Sequence, residues 1–464
     1  MQVEAWLHRA SVSAPTRTAL ETPQARVSYR ELSQLAIAGA SDLRERGVRP
    51  GDRVAIALPA GIEFAQALHA CMLVGAVAVP IDLRLGTEER ESIVAGGVLV
   101  DRPLRVPASA EVLESDLRAP ASAEVLGSDL RAPASAEVLE SDTIVDGAGH
   151  ELDSVCAVIH TSGTTSAPRP IELTYGNFLW SALGSSVALG VDPDERWLCA
   201  MPLSHVGGLS ILIRSAIYAT TAVVHERFDT AEVLRALRQD DITLVSLVST
   251  TLARLLDAGL RDPPSLRRAL TGGGPLAPAL LERAQAAGVP AVATYGLTEA
   301  CSQVSTGGPP LFCTRIELDV DGEILVGGPT VAPGSLGADG RLHTGDLGEI
   351  DANGCLRVSG RKADTIISGG ENVAPSEVEA VLEAHPSVIE AAVLGRPDPQ
   401  WGEAVVAIVV VSPQAGVEEV ELREHCLARL APYKAPKQVR IVSDSLPRTA
   451  SGKLLRRELQ GITI

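Results

Sequence analysis

Apolar runs too short for helices recur along the chain, among them VAIAL at residues 54–58 and AVAVPI at residues 76–81, with a helical stretch between them. Strand and helix in alternation can bury both faces of a sheet only in layers, so the pattern dictates an α/β fold. The alternation resumes further on. Residues 155–160 read as a strand, Thr174 as the cap of a helix beginning at Tyr175, and residues 219–225 and 242–247 as two more strands. Shorter strands with glycine turns follow over 316–358.

From Arg361 onward the chain carries a second set of elements. A strand is expected at 365–368, a helix from Pro375 with Val378, Val381 and Leu382 on one face until His385-Pro386 stops it, and β-rich stretches at 391–394 and 405–411. Another helix and an exposed tail close the sequence. A chain of 464 residues exceeds the usual size of one core. Residues 1–360 are therefore expected to form a large multi-layer domain with a β-rich subdomain, and 361–464 a small mobile α+β domain.

The apolar share of 45% is that of an ordinary globular protein, and the net charge of -18 excludes a general binder of nucleic acid or of anionic membrane. The most apolar early segment, residues 64–81, contains His69 and many small residues, and reads as a buried helix and strand instead of an integral membrane segment. Seven cysteines are scattered without CxxC pairs, as in a reduced, cytoplasmic protein. Only four of the forty basic residues are lysines: Lys362, Lys434, Lys437 and Lys453. Where arginine has displaced nearly every lysine, a surviving ammonium marks either a need for a compact, rotatable cation or a tolerant surface.

Residues 107–142 hold a thirteen-residue tandem repeat (PASAEVLESDLRA, PASAEVLGSDLRA, PASAEVLESD). Its period matches no solenoid or propeller unit, which makes it a surface insertion.

The segment TSGTTSAPRP comprises Thr161, Ser162, Gly163, Thr164, Thr165, Ser166, Ala167, Pro168, Arg169 and Pro170, and it follows a strand and precedes a helix. Small hydroxyl residues and glycine expose backbone N–H groups that can wrap polyphosphate oxygens, although a plain Ser/Thr/Gly turn reads the same way in isolation. Four other segments accompany it: TYGLTEA (294–300), HTGDLGEID (343–351), GRKADTIISGGENV (360–373) and PRTASGKLLRREL (447–459). In order and spacing the five resemble the acyl-adenylate-forming superfamily of acyl-CoA synthetases, luciferases and peptide-synthetase adenylation domains.

The resemblance implies a two-step reaction: ATP and a carboxylic acid give an acyl-adenylate and pyrophosphate, then the small domain rotates and coenzyme A displaces AMP. It implies magnesium, bound by Glu299, and a hydroxyl from Thr298 at the α-phosphate. Tyr295 is expected near the adenine, Asp346 on both ribose hydroxyls, and Arg361 on ribose or phosphate. Gly273 and Gly274, after Gly272, are expected in a tight nucleotide-facing turn, with Thr161 to Thr165 and Arg169 around the phosphates. Lys453 is the cation expected to bridge carboxylate and α-phosphate, and Lys437, in YKAPK, a further cofactor-binding residue. The hinge falls at 360–364, with Ala363 where such families place Asp or Lys.

Residues 201–229, ALTGGGPLAPALLERA and ATYGLTEACSQV resemble most the o-succinylbenzoate-CoA ligases of menaquinone biosynthesis. For that acid, a dianion with an aromatic ring, His205, Gly207 in a flexible Gly207-Gly208 turn, Thr294 and Ser302 are the expected pocket residues, with Gln303 nearby and Arg214 a cation without an assigned direction. Other aromatic or aliphatic acids stay open, as does a homodimer. The loop departs from the family form at Ser166, Arg169 and Pro170, which leaves a degenerate adenylate-binding homologue as the alternative.

Overall fold

The computed structural model describes residues 1–107, 149–161, 169–274, 276–412, 416–448 and 454–462. The tandem repeat beyond Pro107, residues Ser162 to Ser166, Pro275 and Lys453 lie outside the described residues. The fold is mixed α/β, with two largely parallel sheets followed by an antiparallel one and then a separate C-terminal sheet.

One sheet has eight strands in the order Ser302–Thr306, Ala291–Leu297, Arg268–Gly272, Leu244–Val248, Arg196–Cys199, Thr221–Val224, Thr18–Glu21 and Arg26–Ser28. Its middle is parallel and both its edge pairs are antiparallel. Strands buried on both faces read as largely apolar runs of β-branched residues, which is why residues 242–247 and 219–225, interrupted only by Thr, Ser and a final His, were visible in the sequence. The second strand is shorter than expected: Ala219 ends the preceding helix with φ 56°, and pairing begins only at Thr221.

A five-stranded sheet runs Val98–Val100, Arg53–Ile56, Val77–Pro80, Val155–Thr161 and Arg169–Thr174. The helix Ile62–Val74 between two of its strands is buried nearly all round, as its small apolar residues require. Here the sequence reading needs a correction. The phosphate-loop segment does not pass from strand to helix; it joins two antiparallel strands whose last pair is Thr161 and Arg169. The helix starts at Tyr175, after the second strand. Pro170 is tolerated because that strand is the sheet edge, where a missing N–H breaks no interior ladder.

The antiparallel sheet holds Arg315–Leu318, Glu323–Gly327, Leu342–Ile350 and Leu356–Arg361. Arg361, where the second unit was expected to begin, ends a strand of this sheet opposite Asp346. After the turn Lys362–Asp364 every strand belongs to the C-terminal sheet: Ile366–Ser368, Glu371–Val373, Val388–Asp398, Gly402–Val411 and Gln438–Val442. Its core has its own members, including Val378, Leu382, Val393, Val405 and Leu422.

The tail is less exposed than expected. Gln438–Val442 pairs in parallel with Gly402–Val411, and the Arg456 guanidinium bonds both Glu379 oxygens and the Val393 carbonyl. Arg448 and Leu454 pair across the base of the segment that holds Lys453.

Candidate active site

Three predicted residues meet at the bulged strand Leu342–Ile350. Asp346 is 6% exposed, and each of its oxygens has one protein donor: Tyr295 Oη gives a hydrogen bond to Oδ2 at 2.8 Å, and Arg361 Nε lies 2.8 Å from Oδ1. An ionised carboxylate has about four lone-pair sites, so about two remain for a diol. The Tyr295–Asp346 bond was not foreseen. It fixes the phenol ring, and burial together with the Asp346 carboxylate pushes the phenol pKa far up, so the hydroxyl stays a donor.

Thr298 and Glu299 follow directly, in the single turn Thr298–Ala300 at the end of the strand Ala291–Leu297. The strand Arg169–Thr174, which leaves the phosphate-loop segment, packs against this turn. The carboxylate of Glu299 makes no ion pair or hydrogen bond among the described residues, and no cluster of three metal-binding side chains occurs among them. A lone available carboxylate suits magnesium, which keeps water and phosphate oxygens in most of its positions. Thr161 donates its hydroxyl to the Arg169 carbonyl at 3.3 Å, and the Arg169 side chain is exposed. Gly273 has φ 78°, a conformation that disfavours a side chain, and Gly274 faces open space.

Past the turn, Cys301 and Ser302 are consecutive non-glycine residues at φ 51° and 89°. Such backbone costs on the order of 1–3 kcal/mol per residue and persists only where its surroundings enforce it. They do so here. Ser302 O would lie 1.7 Å from any Cβ on Gly296, and the Cys301 carbonyl accepts a 2.6 Å bond from Ser181 Oγ. Ser181 in turn accepts from Arg214 Nη2 at 2.8 Å, which gives Arg214 the direction the sequence withheld. That guanidinium is 2% exposed and sits over Trp197, behind the turn. Gln303 is buried, and its Oε1 has no hydrogen-bond partner among the described residues. Thr294 Oγ1 is shared with Ser305 O and the Thr306 hydroxyl across the hairpin.

His205 precedes the helix Val206–Tyr218, which packs against the strand Ser302–Thr306. Its Nε2 lies 4.0 Å from Asp82 Oδ2, a carboxylate already held by Arg84, and has no hydrogen-bond partner among the described residues. Burial draws the imidazole pKa down while Asp82 opposes it. Gly207 and Gly208 form no flexible turn; they are the first turn of the helix. A Cβ on Gly208 would lie 2.5 Å from the Pro202 carbonyl, so close backbone packing requires that glycine, whereas one on Gly207 would meet only the movable Met201 Cε at 2.8 Å.

Lys437 stands apart, in the C-terminal sheet region. Its ammonium lies 4.6 Å from the Trp401 ring centre and donates to the Pro432 carbonyl at 3.1 Å.

The AMP-binding enzyme family matches residues 7–336, and the AMP-binding enzyme C-terminal domain matches residues 377–453. A 2-succinylbenzoate–CoA ligase from Bacillus licheniformis is 38% identical over 494 residues, covering 98% of each chain. One from Bacillus subtilis is 36% identical over 489 residues, covering 98% of this chain and 97% of that one. The o-succinylbenzoate CoA synthetase structure from Bacillus subtilis, bound to its acyl-adenylate intermediate, superposes with a TM-score of 0.84 at 35% identity and covers 100% of this chain and 99% of that one. The same enzyme with ATP and magnesium gives 0.82, at 35% identity, with 99% and 100% covered. A double mutant bound to a product analogue gives 0.67, at 36% identity and 99% of each chain. By family match over most of its length, and by relatives that span nearly all of it, the chain belongs to the AMP-binding, acyl-adenylate-forming enzymes.

Proposed function

We propose that this chain is an ATP-dependent ligase that converts o-succinylbenzoate to o-succinylbenzoyl-CoA, in menaquinone biosynthesis. The observation that carries the reading is the near full-length match, at 36–38% identity, to ligases named for that acid. In the first half-reaction a carboxylate oxygen of the acid attacks the α-phosphorus of ATP, and pyrophosphate leaves. In the second the sulfur of coenzyme A attacks the acyl carbon, and AMP leaves.

The residues take these roles. Asp346 accepts the ribose hydroxyls, steadied by Tyr295 and Arg361. Thr298 offers its hydroxyl to the α-phosphate, and Arg361 adds positive charge beside it. Bound magnesium, held by Glu299 and phosphate oxygens, supplies charge neutralisation for the leaving pyrophosphate. Thr161, Ser162, Gly163, Thr164, Thr165 and Arg169 line the phosphate side, and Gly273 and Gly274 the nucleoside side. His205, Gly207, Thr294 and Ser302 form the acid pocket. Lys453 bridges the two reacting oxygens in adenylation.

We infer a boundary within the turn Lys362–Asp364, with the C-terminal unit rotating between half-reactions. The fall in TM-score from 0.84 to 0.67 between two bound states of one relative supports such a rotation, with this structure on the adenylate-bound side. Lys437 then meets coenzyme A in the second state. We place the enzyme in the cytoplasm, which the seven free cysteines favour, and no helix among the described residues is long and apolar enough to cross a membrane. Assembly as a homodimer, read by light scattering, completes the proposal.

Pyrophosphate release with ATP, magnesium and a panel of acids tests the reading. The expected result is turnover with o-succinylbenzoate and little with fatty acids, and loss of this step in Lys453→Ala while thioester formation from preformed adenylate survives. Turnover of many fatty acids but not o-succinylbenzoate would sink the substrate assignment; nucleotide binding without turnover of any acid would favour the degenerate homologue.

A further inference from the structure

The strands Glu323–Gly327 and Leu342–Ile350 do not pair continuously. Glu323 faces Leu347 and Leu325 faces His343, so Thr344, Gly345 and Asp346 all stand opposite Ile324. The surplus residues bulge out of the ladder, and their polar groups need other partners. Thr344 Oγ1 donates to the Ile324 carbonyl at 2.8 Å, and the Asp346 N–H donates to Thr344 Oγ1 at 3.0 Å. The Gly345 N–H, at φ 69°, donates to Glu323 Oε1 at 2.9 Å.

Glu323 is only 8% exposed, and its second oxygen is also engaged. Oε2 lies 3.3 Å from Lys362 Nζ, and Asp321 and Asp319 approach the same ammonium at 3.2 and 3.9 Å. Lys362 opens the turn Lys362–Asp364 that leads into the C-terminal unit. One buried carboxylate therefore touches the bulge that presents Asp346 on one side and the interdomain connection on the other.

We propose that Glu323 is a positioning residue that couples the nucleotide site to the interdomain connection. Through Oε1 it fixes the bulge that aims Asp346 at the ribose; through Oε2 it holds Lys362. The coupling is reciprocal: a nucleotide that steadies the bulge steadies Lys362, and release of Lys362 when the connection turns loosens the bulge and the AMP bound there. The proposal rests on the reading of Asp346 as the ribose acceptor.

The test uses the full chain and measures pyrophosphate release against ATP concentration, beside thioester formation from preformed adenylate, for Glu323→Ala, Glu323→Gln and Asp346→Asn. Loss of a hydrogen bond to a charged group predicts that Glu323→Ala raises KM for ATP about tenfold or more while kcat changes far less. Glu323→Gln keeps an oxygen for the Gly345 N–H but not the charge for Lys362; its KM is expected within about threefold of the parent, with an altered ratio of the two half-reaction rates. An unchanged KM in Glu323→Ala, while Asp346→Asn raises it, would overturn the positioning role alone. A uniform drop in kcat for both half-reactions at constant KM would mark Glu323 as merely structural. If Asp346→Asn leaves KM unchanged, the ribose reading falls and this proposal with it.

Discussion

At the scale of single residues, short motifs singled out the candidate residues but not their hydrogen-bond partners. Asp346, Arg361 and Tyr295 were each identifiable from short segments, yet Tyr295 was expected only near the adenine, and its bond to Asp346 joins strands of two different sheets, far apart in sequence. Arg214 shows the same limit, since sequence gives its charge but only the fold turns it toward Ser181. The buried histidines yield a pH prediction. His69 and His150 have imidazole pKa values pulled down to about 4 by burial, and His150 stacks on Tyr175 while its Nε2 accepts from the backbone N–H of Trp6 at 3.4 Å. An unfolded chain takes up those protons near pH 6.5, so between pH 6.5 and 4 it binds more protons than the folded one, and stability present at neutral pH declines as the pH falls. Histidine ring NMR signals for both residues should remain those of neutral imidazole at pH 5 as the thermal midpoint drops; protonation of both rings near pH 6.5 in the folded protein would contradict this.

At the scale of elements, helices with strong local signals were legible and the phosphate-loop hairpin was not. Thr174 caps the helix Tyr175–Leu189, with Thr174 Oγ1 accepting from the Asn177 N–H and Asn177 Oδ1 accepting from the Thr174 N–H. That reciprocal pair is written within four residues. The strand Arg169–Thr174 beside it carries Pro170 and exposed polar residues, which in sequence look like loop, and only its place at the sheet edge makes them strand. Gln438–Val442 was overlooked for a related reason: its parallel partner lies a helix and a turn away, so nothing local demands a strand. Thr174→Ala should cost about 1 kcal/mol. Asn177→Ala should cost more, because its side-chain amide also bonds the Pro329 and Val331 carbonyls and ties the helix to the segment after Glu323–Gly327. Urea unfolding midpoints of the two variants measure the order, and equal losses would show that the long-range bonds contribute nothing.

At the scale of the whole molecule, the two-part organisation followed from length and from the change of elements after Gly360, but the join was finer than sequence could show. Arg361 closes a strand of the antiparallel sheet and Lys362 sits among three carboxylates of a neighbouring hairpin, whereas Asp364 lies 3.5 Å from Arg456 of the C-terminal unit. Ala363 stands between residues held on opposite sides, and its methyl side chain cannot form an ion pair. A two-step ligase leaves one product of both steps, and that product is the most direct witness to the central claim. Incubation of the full chain with ATP, magnesium, coenzyme A and o-succinylbenzoate, followed by mass spectrometry, should reveal o-succinylbenzoyl-CoA and AMP in equal amounts. ADP in place of AMP, or AMP with no thioester, would contradict the account.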